Sequence, residues 1–156
     1  MNHDNIEELI SADELQASVR QMGRQITRDF DDAELHVIGV LKGSFVFMAD
    51  LLRHIDLELS TDFLGLSSYG DSTTSSGVVR MDQDLTTPIE GKDVLIVEDI
   101  VDTGLTMSYL LENLQTRRPA SLHVCTLLTK PSNLEVDVPI DYKGFEVPDR
   151  FVIGYG

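Results

Sequence analysis

Between Val94 and Thr106 the chain reads Val94-Leu95-Ile96-Val97-Glu98-Asp99-Ile100-Val101-Asp102-Thr103-Gly104-Leu105-Thr106. An apolar run delivers two adjacent carboxylates, a third carboxylate follows at Asp102, and two threonines bracket a Gly-Leu pair. The Thr-Gly-Leu-Thr turn can offer backbone N–H groups and two hydroxyls to an anion at a helix N-terminus. Carboxylates do not bind phosphate directly, but they accept hydrogen bonds from sugar hydroxyls and ligate Mg²⁺. One loop therefore joins an anion cradle to a hydroxyl or metal site, and a phosphorylated sugar matches both halves. Two further sites of unusual chemistry follow other apolar runs: Lys42-Gly43 after Leu35–Leu41, and Lys130 after Leu122–Leu128.

The elements that must position these groups follow from periodicity. Ser11 and Glu14 form a capping-box pattern, and Leu15, Val19, Met22 and Ile26 recur at helical spacing behind it, predicting a helix over 12–29. Leu35–Leu41 reads as a buried strand. Phe45, Met48, Leu51 and Leu52 predict a helix over 44–54, and Leu57–Leu66 reads as a half-exposed strand. Ser67–Gly77 is small and polar, a long loop of the kind that serves as a lid. Asp93–Val97 is a second buried strand, Glu98–Leu105 a loop, Thr106–Leu114 a helix and Leu122–Leu128 a third apolar strand. Phe145 and Phe151–Gly154 supply short terminal strands. Strands alternating with helices imply an α/β domain with a mostly parallel central sheet flanked by helices. Ligands of such sheets bind at the carboxyl ends of the strands, where Lys42-Gly43, Glu98–Thr106 and Lys130 fall.

Composition narrows the partners. The 156 residues carry 27 acidic and 12 basic side chains, a formal charge of −15, with 42% hydrophobic content, enough for the core of one domain spanning 1–156. Such a balance argues against nucleic acid or an anionic membrane as partner, since both require a basic surface. Cys125 is the sole cysteine, so no internal disulfide framework exists, and its apolar surroundings suit a small core residue. No apolar stretch approaches membrane-spanning length and the acidic N-terminus lacks a signal-peptide pattern, so the expectation is a cytoplasmic protein. The four histidines, His3, His36, His54 and His123, show no ligand spacing.

The Val94–Thr106 segment resembles the phosphoribosyl diphosphate (PRPP) signature of type I phosphoribosyltransferases. The likeness extends along nearly the whole chain. Val40–Leu51 resembles the pyrophosphate-loop region of the hypoxanthine phosphoribosyltransferases, Ser67-Ser68-Tyr69-Gly70 the start of their lid, and Leu127–Pro131 and Gly144–Gly156 their purine-binding segments. The resemblance implies the type I fold, with a flexible lid and a small purine-binding hood. It implies transfer of the phosphoribosyl group of PRPP to a 6-oxopurine, with Mg²⁺ as cofactor and a homodimer or homotetramer as assembly. Residue by residue, it implies that Glu98 and Asp99 contact the ribose hydroxyls or the Mg²⁺ bound there, that Asp102 sits near purine N7 as general base, and that Thr103, Gly104, Leu105 and Thr106 wrap the 5′-phosphate. Lys42 and Gly43 would hold pyrophosphate across a cis Leu41–Lys42 peptide. Lys130 would meet the purine 6-oxo group, Phe151 would stack on the ring, Val152 would present backbone groups to the base edge, and Ser68 and Tyr69 would ride on the lid.

Two departures accompany the resemblance. Relatives carry arginine where this chain has Asn133 and Leu134, and they continue past Gly156 with a Leu-Asp-Tyr stretch and a further strand, so a longer natural chain is expected. A PRPP- or nucleotide-sensing regulator without turnover is the rival expectation. The retained Asp102 and Lys130 favour an enzyme.

Overall fold

The computed structural model describes residues 5–68 and 79–155. Helix α1, Ala12–Asp29, starts where Ser11 and Glu14 close a reciprocal capping box: Glu14 N–H donates to Ser11 Oγ at 3.2 Å and Ser11 N–H to Glu14 Oε2 at 2.9 Å. The remaining elements are β1 (Leu35–Leu41), α2 (Phe45–Leu52), β2 (Leu59–Ser68), β3 (Val79–Gln83), β4 (Asp93–Val101), α3 (Leu105–Gln115), β5 (Ser121–Thr129) and β6 (Tyr142–Glu146). A single 3₁₀ turn, Pro131–Asn133, follows β5.

The six strands form one sheet in the order β3-β2-β1-β4-β5-β6. All neighbours run parallel except the β2–β3 pair. The apolar runs of β1 and β4 are buried on both faces, as central parallel strands must be. Alternate residues separate into two cores. Leu35, Val37, Leu95, Val97, Cys125 and Leu127 pack with α1 and α2, whereas Ile38, Val94, Ile96 and Val124 pack with Met107, Leu110 and Leu114 of α3. Helices thus cover both faces.

From β1 the chain moves outward to β2 and β3, then returns to lay β4 on the other side of β1. The strand order reverses between β1 and β4, and the carboxyl ends of these two strands flank the switch point where α/β sheets bind ligands.

Ladder partners, present or missing, account for the main differences from the sequence expectation. Glu98–Val101 belongs to β4 rather than to a loop, since Glu98, Ile100 and Val101 pair with Thr126, Leu128 and Thr129 of β5. Strand β2 runs on to Ser68, paired with Val79 of β3. Phe151–Gly154 is not a strand: the sheet ends at β6, and this segment instead borders a cavity of about 690 Å³ beside residues 5–10 and the start of α1. It is tied down by Tyr155, whose hydroxyl donates to Asp50 of α2. The remainder of the expected lid, including Tyr69, lies outside the described residues. No helix among the described residues is long and apolar enough to cross a membrane.

Candidate active site

Because β1, β4 and β5 are adjacent and parallel, the three chemically unusual strand ends meet on one edge of the sheet. At the end of β1 the Leu41–Lys42 peptide is cis, Ser44 Oγ donates to Val40 O at 2.6 Å inside the turn, and Lys42 is exposed. Gly43 lies directly against β4. A Cβ there would collide with the Asp99 carboxylate, so glycine is what allows the loop to close on the acidic pair.

Glu98 and Asp99 share the end of β4. Glu98 is buried, and its Oε1 accepts the Asp99 N–H at 3.0 Å. Burial pushes the Glu98 carboxyl well above the ordinary carboxylate range, and the adjoining Asp99 side chain adds to that rise. Asp99 is only partly buried and faces Gly43. Among the described residues no group of three His, Cys, Asp or Glu side chains could hold a metal alone. An Mg²⁺ that keeps one or two carboxylates and takes its other oxygens from substrate and water fits this donor set.

Beyond β4, Glu98, Ile100–Gly104, Thr106 and Met107 line a cavity of about 210 Å³. Gly104 is the N-cap of α3 at φ 85°, a left-handed conformation that favours glycine. No side chain caps this helix, leaving its first-turn amides at the cavity; Leu105 N–H makes a long contact to Thr103 Oγ1 at 3.3 Å. The loop is clamped from outside: Thr103 O accepts from Glu135 N–H at 2.9 Å and Val136 N–H at 3.3 Å.

Lys130 completes the group. Its N–H donates to Val101 O at 3.1 Å, its side chain is buried, and its Nζ lies 3.7 Å from Asp102 Oδ2 and 4.0 Å from Asp149 Oδ1. Asn133, unassigned from sequence, donates through Nδ2 to Asp102 Oδ1 at 2.9 Å and to Asp149 Oδ1 at 2.8 Å. No local signal marks it, since its partners lie 31 and 16 positions away along the chain.

The structure therefore brings together Lys42, Gly43, Glu98, Asp99, Asp102–Thr106 and Lys130. Phe151 and Val152 stand apart from the smaller cavity and line the 690 Å³ one, with Phe151 90% exposed and its ring unpacked. Ser68 is described only as the last residue of β2.

Comparison with known proteins follows the same geometry. A family model described as the phosphoribosyl transferase domain matches residues 6–156. The hypoxanthine-guanine phosphoribosyltransferase of Bacillus subtilis (strain 168) is 51% identical over 156 residues, covering 100% of this chain and 87% of its own length. The hypoxanthine phosphoribosyltransferase of Salmonella typhimurium (strain LT2) is 48% identical over 158 residues, covering 100% of this chain and 88% of its own. A crystal structure of a hypoxanthine-guanine phosphoribosyltransferase from Bacillus anthracis, with a HEPES molecule in the active site, superposes with a TM-score of 0.92 at 46% identity, covering 97% of this chain and 89% of that one.

Proposed function

The chain belongs to the phosphoribosyltransferase family, and on that premise we propose that it transfers the 5-phosphoribosyl group of PRPP to N9 of a 6-oxopurine in purine salvage. Hypoxanthine and guanine would give IMP and GMP, with pyrophosphate released. The observation that carries this reading is the Lys130 ammonium 3.7 Å from the Asp102 carboxylate, at the rim of the Glu98–Met107 cavity. A cation for a 6-oxo group and a carboxylate for a ring N–H stand one purine edge apart, beside an uncapped helix end suited to a phosphate.

In this reading Thr103, Gly104, Leu105 and Thr106 hold the 5′-phosphate through amides and hydroxyls. Glu98 and Asp99 face the ribose hydroxyls. Lys42 and Gly43 receive pyrophosphate, Phe151 stacks on the purine, Val152 meets its edge, and Ser68 and Tyr69 belong to the covering lid. The purine N9 electron pair forms the bond to the anomeric carbon, and the breaking C–O bond leaves its pair on pyrophosphate. Positive charge develops on the ribose, and the nearby Asp99 and Asp102 side chains stabilise it electrostatically. Asp102 accepts the proton released from N7. Lys42 supplies positive charge near the leaving group. Mg²⁺, which Asp99 with Glu98 would hold, supplies further charge neutralisation for the diphosphate.

The continuous sheet, with one core on each face, supports treating 1–156 as one domain. The resemblance supports a homodimer or homotetramer in the cytoplasm, checked by light scattering and by fractionation.

The test is nucleotide formation from PRPP with hypoxanthine, guanine and xanthine, each with Mg²⁺ and with chelator. Hypoxanthine should be turned over, and chelator should abolish the reaction. Protein that binds PRPP but never makes nucleotide would sink the enzyme reading in favour of a sensor. Undiminished turnover in chelator would remove Mg²⁺ from the site.

A further inference from the structure

Asn133 hydrogen-bonds both Asp102 and Asp149, in the segment leading to Phe151. Its Nδ2 spends both hydrogens on carboxylates, at 2.9 Å to Asp102 Oδ1 and 2.8 Å to Asp149 Oδ1. The other oxygen of Asp102, Oδ2, is the one nearest Lys130 Nζ. Asn133 is itself fixed, because it closes the 3₁₀ turn through its N–H to Lys130 O at 3.0 Å. Two residues further on, the amides of Glu135 and Val136 hold Thr103 O. The turn after β5 thus grips the β4–α3 loop at two points, through the Thr103 backbone and through the Asp102 side chain.

We infer that Asn133 is a positioning residue for Asp102, one that also couples Asp102 to the purine-side segment through Asp149. The inference rests on the transferase reading above. Asp102 is half-exposed, with a side chain 47% accessible, and without a donor on Oδ1 its carboxylate is free to rotate about χ2. An amide donating to Oδ1 fixes that rotation and leaves Oδ2 as the oxygen presented to the purine. It also answers a question of charge. Two carboxylates, Asp102 and Asp149, lie within 4.0 Å of a single ammonium, and the amide joins them without adding a competing cation. An arginine at position 133 would bring such a cation, pulling Asp102 away from Lys130.

A positioning role predicts a loss in the chemical step rather than in PRPP binding. The experiment measures kcat and the KM values for hypoxanthine and PRPP in the parent protein and in Asn133→Ala, Asn133→Asp and Asn133→Gln, with thermal unfolding in parallel. Asn133→Ala should lower kcat about tenfold, within the range that small misplacements of a catalytic group produce, with PRPP KM unchanged within about twofold. Asn133→Asp keeps the shape but removes both donors and adds a third carboxylate, so it should be worse than alanine. Asn133→Gln keeps the donors on a longer arm and should recover part of kcat; it also covers the case in which alanine unfolds the turn. An active parent whose Asn133→Ala variant retains kcat within about twofold overturns the positioning role and leaves the transferase reading standing. Equal losses in kcat and PRPP KM, or no recovery in Asn133→Gln, also overturn it, since they mark a general collapse of the loop. A parent that forms no nucleotide removes both.

Discussion

Gly104→Ala tests whether the loop between β4 and α3 is held as tightly as its contacts require. Two costs add there. Gly104 sits at φ 85°, a left-handed conformation that costs an L-residue roughly 1–2 kcal/mol. A Cβ would also stand 2.6 Å from Val136 O, well inside ordinary contact. That carbonyl cannot retreat freely, because the Glu135 and Val136 amides are bonded to Thr103 O. Forcing an atom into a fixed contact of this kind costs about 1–3 kcal/mol. Gly91 provides the control: at φ 73° it pays the same backbone cost, but its Cβ would meet nothing within 4 Å. At roughly 2–4 °C per kcal/mol for a domain of this size, Gly91→Ala should lower Tm by about 4 °C and Gly104→Ala by about 10 °C, read by circular dichroism. On the proposed function only Gly104→Ala should also raise the PRPP KM, since it alone shifts the amides meant for the 5′-phosphate. Equal Tm losses in the two variants, or a parental PRPP KM in Gly104→Ala, would refute the claim that this loop is clamped onto the 130–136 segment.

Three further perturbations probe other links. Asp102→Asn removes the proposed proton acceptor and should lower kcat about 10²–10⁴-fold while PRPP binding persists; an unchanged rate with hypoxanthine would show the base assignment to be wrong. Lys130→Ala removes a charge-assisted hydrogen bond worth about 1.5–3 kcal/mol, so hypoxanthine KM should rise roughly 10–100-fold and PRPP KM much less; equal changes in both would count against base recognition. Asp62 tests stability: burial works against its charge, yet N–H donors from Phe63, Thr87 and Thr86 and the Thr86 hydroxyl hold its carboxyl below the ordinary range. A carboxyl depressed in the folded state adds stability above its unfolded value, near 4, and that stability is lost as pH falls through the folded value. Asp62→Asn should therefore be less stable than the parent at neutral pH, with the gap closing on acidification below about pH 4; a gap independent of pH would refute the role.

Much of this architecture was legible because local signals agreed with tertiary ones. The capping box and 3.6-residue periodicity placed α1 at 12–29, and the unbroken apolar run placed β1 at 35–41, both as found. The ends that slipped were those decided by a distant partner. Whether Glu98–Val101 is loop or strand depends on the register of β5, which no window around residue 98 contains. Phe151–Gly154 carries the apolar content of a strand but pairs with none of the six strands. Strand β3 was not read at all: Val79-Arg80-Met81-Asp82-Gln83 is a mostly exposed, charged edge, as edges that avoid aggregation tend to be. At the site, residue types near β4 announced themselves through spacing, whereas Asn133 reaches Asp102 across 31 positions and Asp149 across 16. Such bonds are properties of the fold and have no local signature.

The charge of −15 acquires a structural meaning from the same geometry. Of the cations at this sheet edge, Lys130 is buried between two carboxylates and Lys42 is exposed after β1, on the other side of β4. Neither lines the Glu98–Met107 cavity, which holds two acids and no base. A phosphate entering there must be met by oriented amides and hydroxyls, whose partial charges are short-ranged and do not attract at a distance. Long-range attraction is absent as well, because the surface is acidic and its field decays within about 8 Å at physiological ionic strength. Affinity for an anionic sugar diphosphate must then come from contact rather than steering, and from a cation that travels with the substrate. An acidic chain can bind such a ligand only with a preorganised cradle, which is why Gly43, Gly104 and the clamp from residues 130–136 matter more here than the count of lysines.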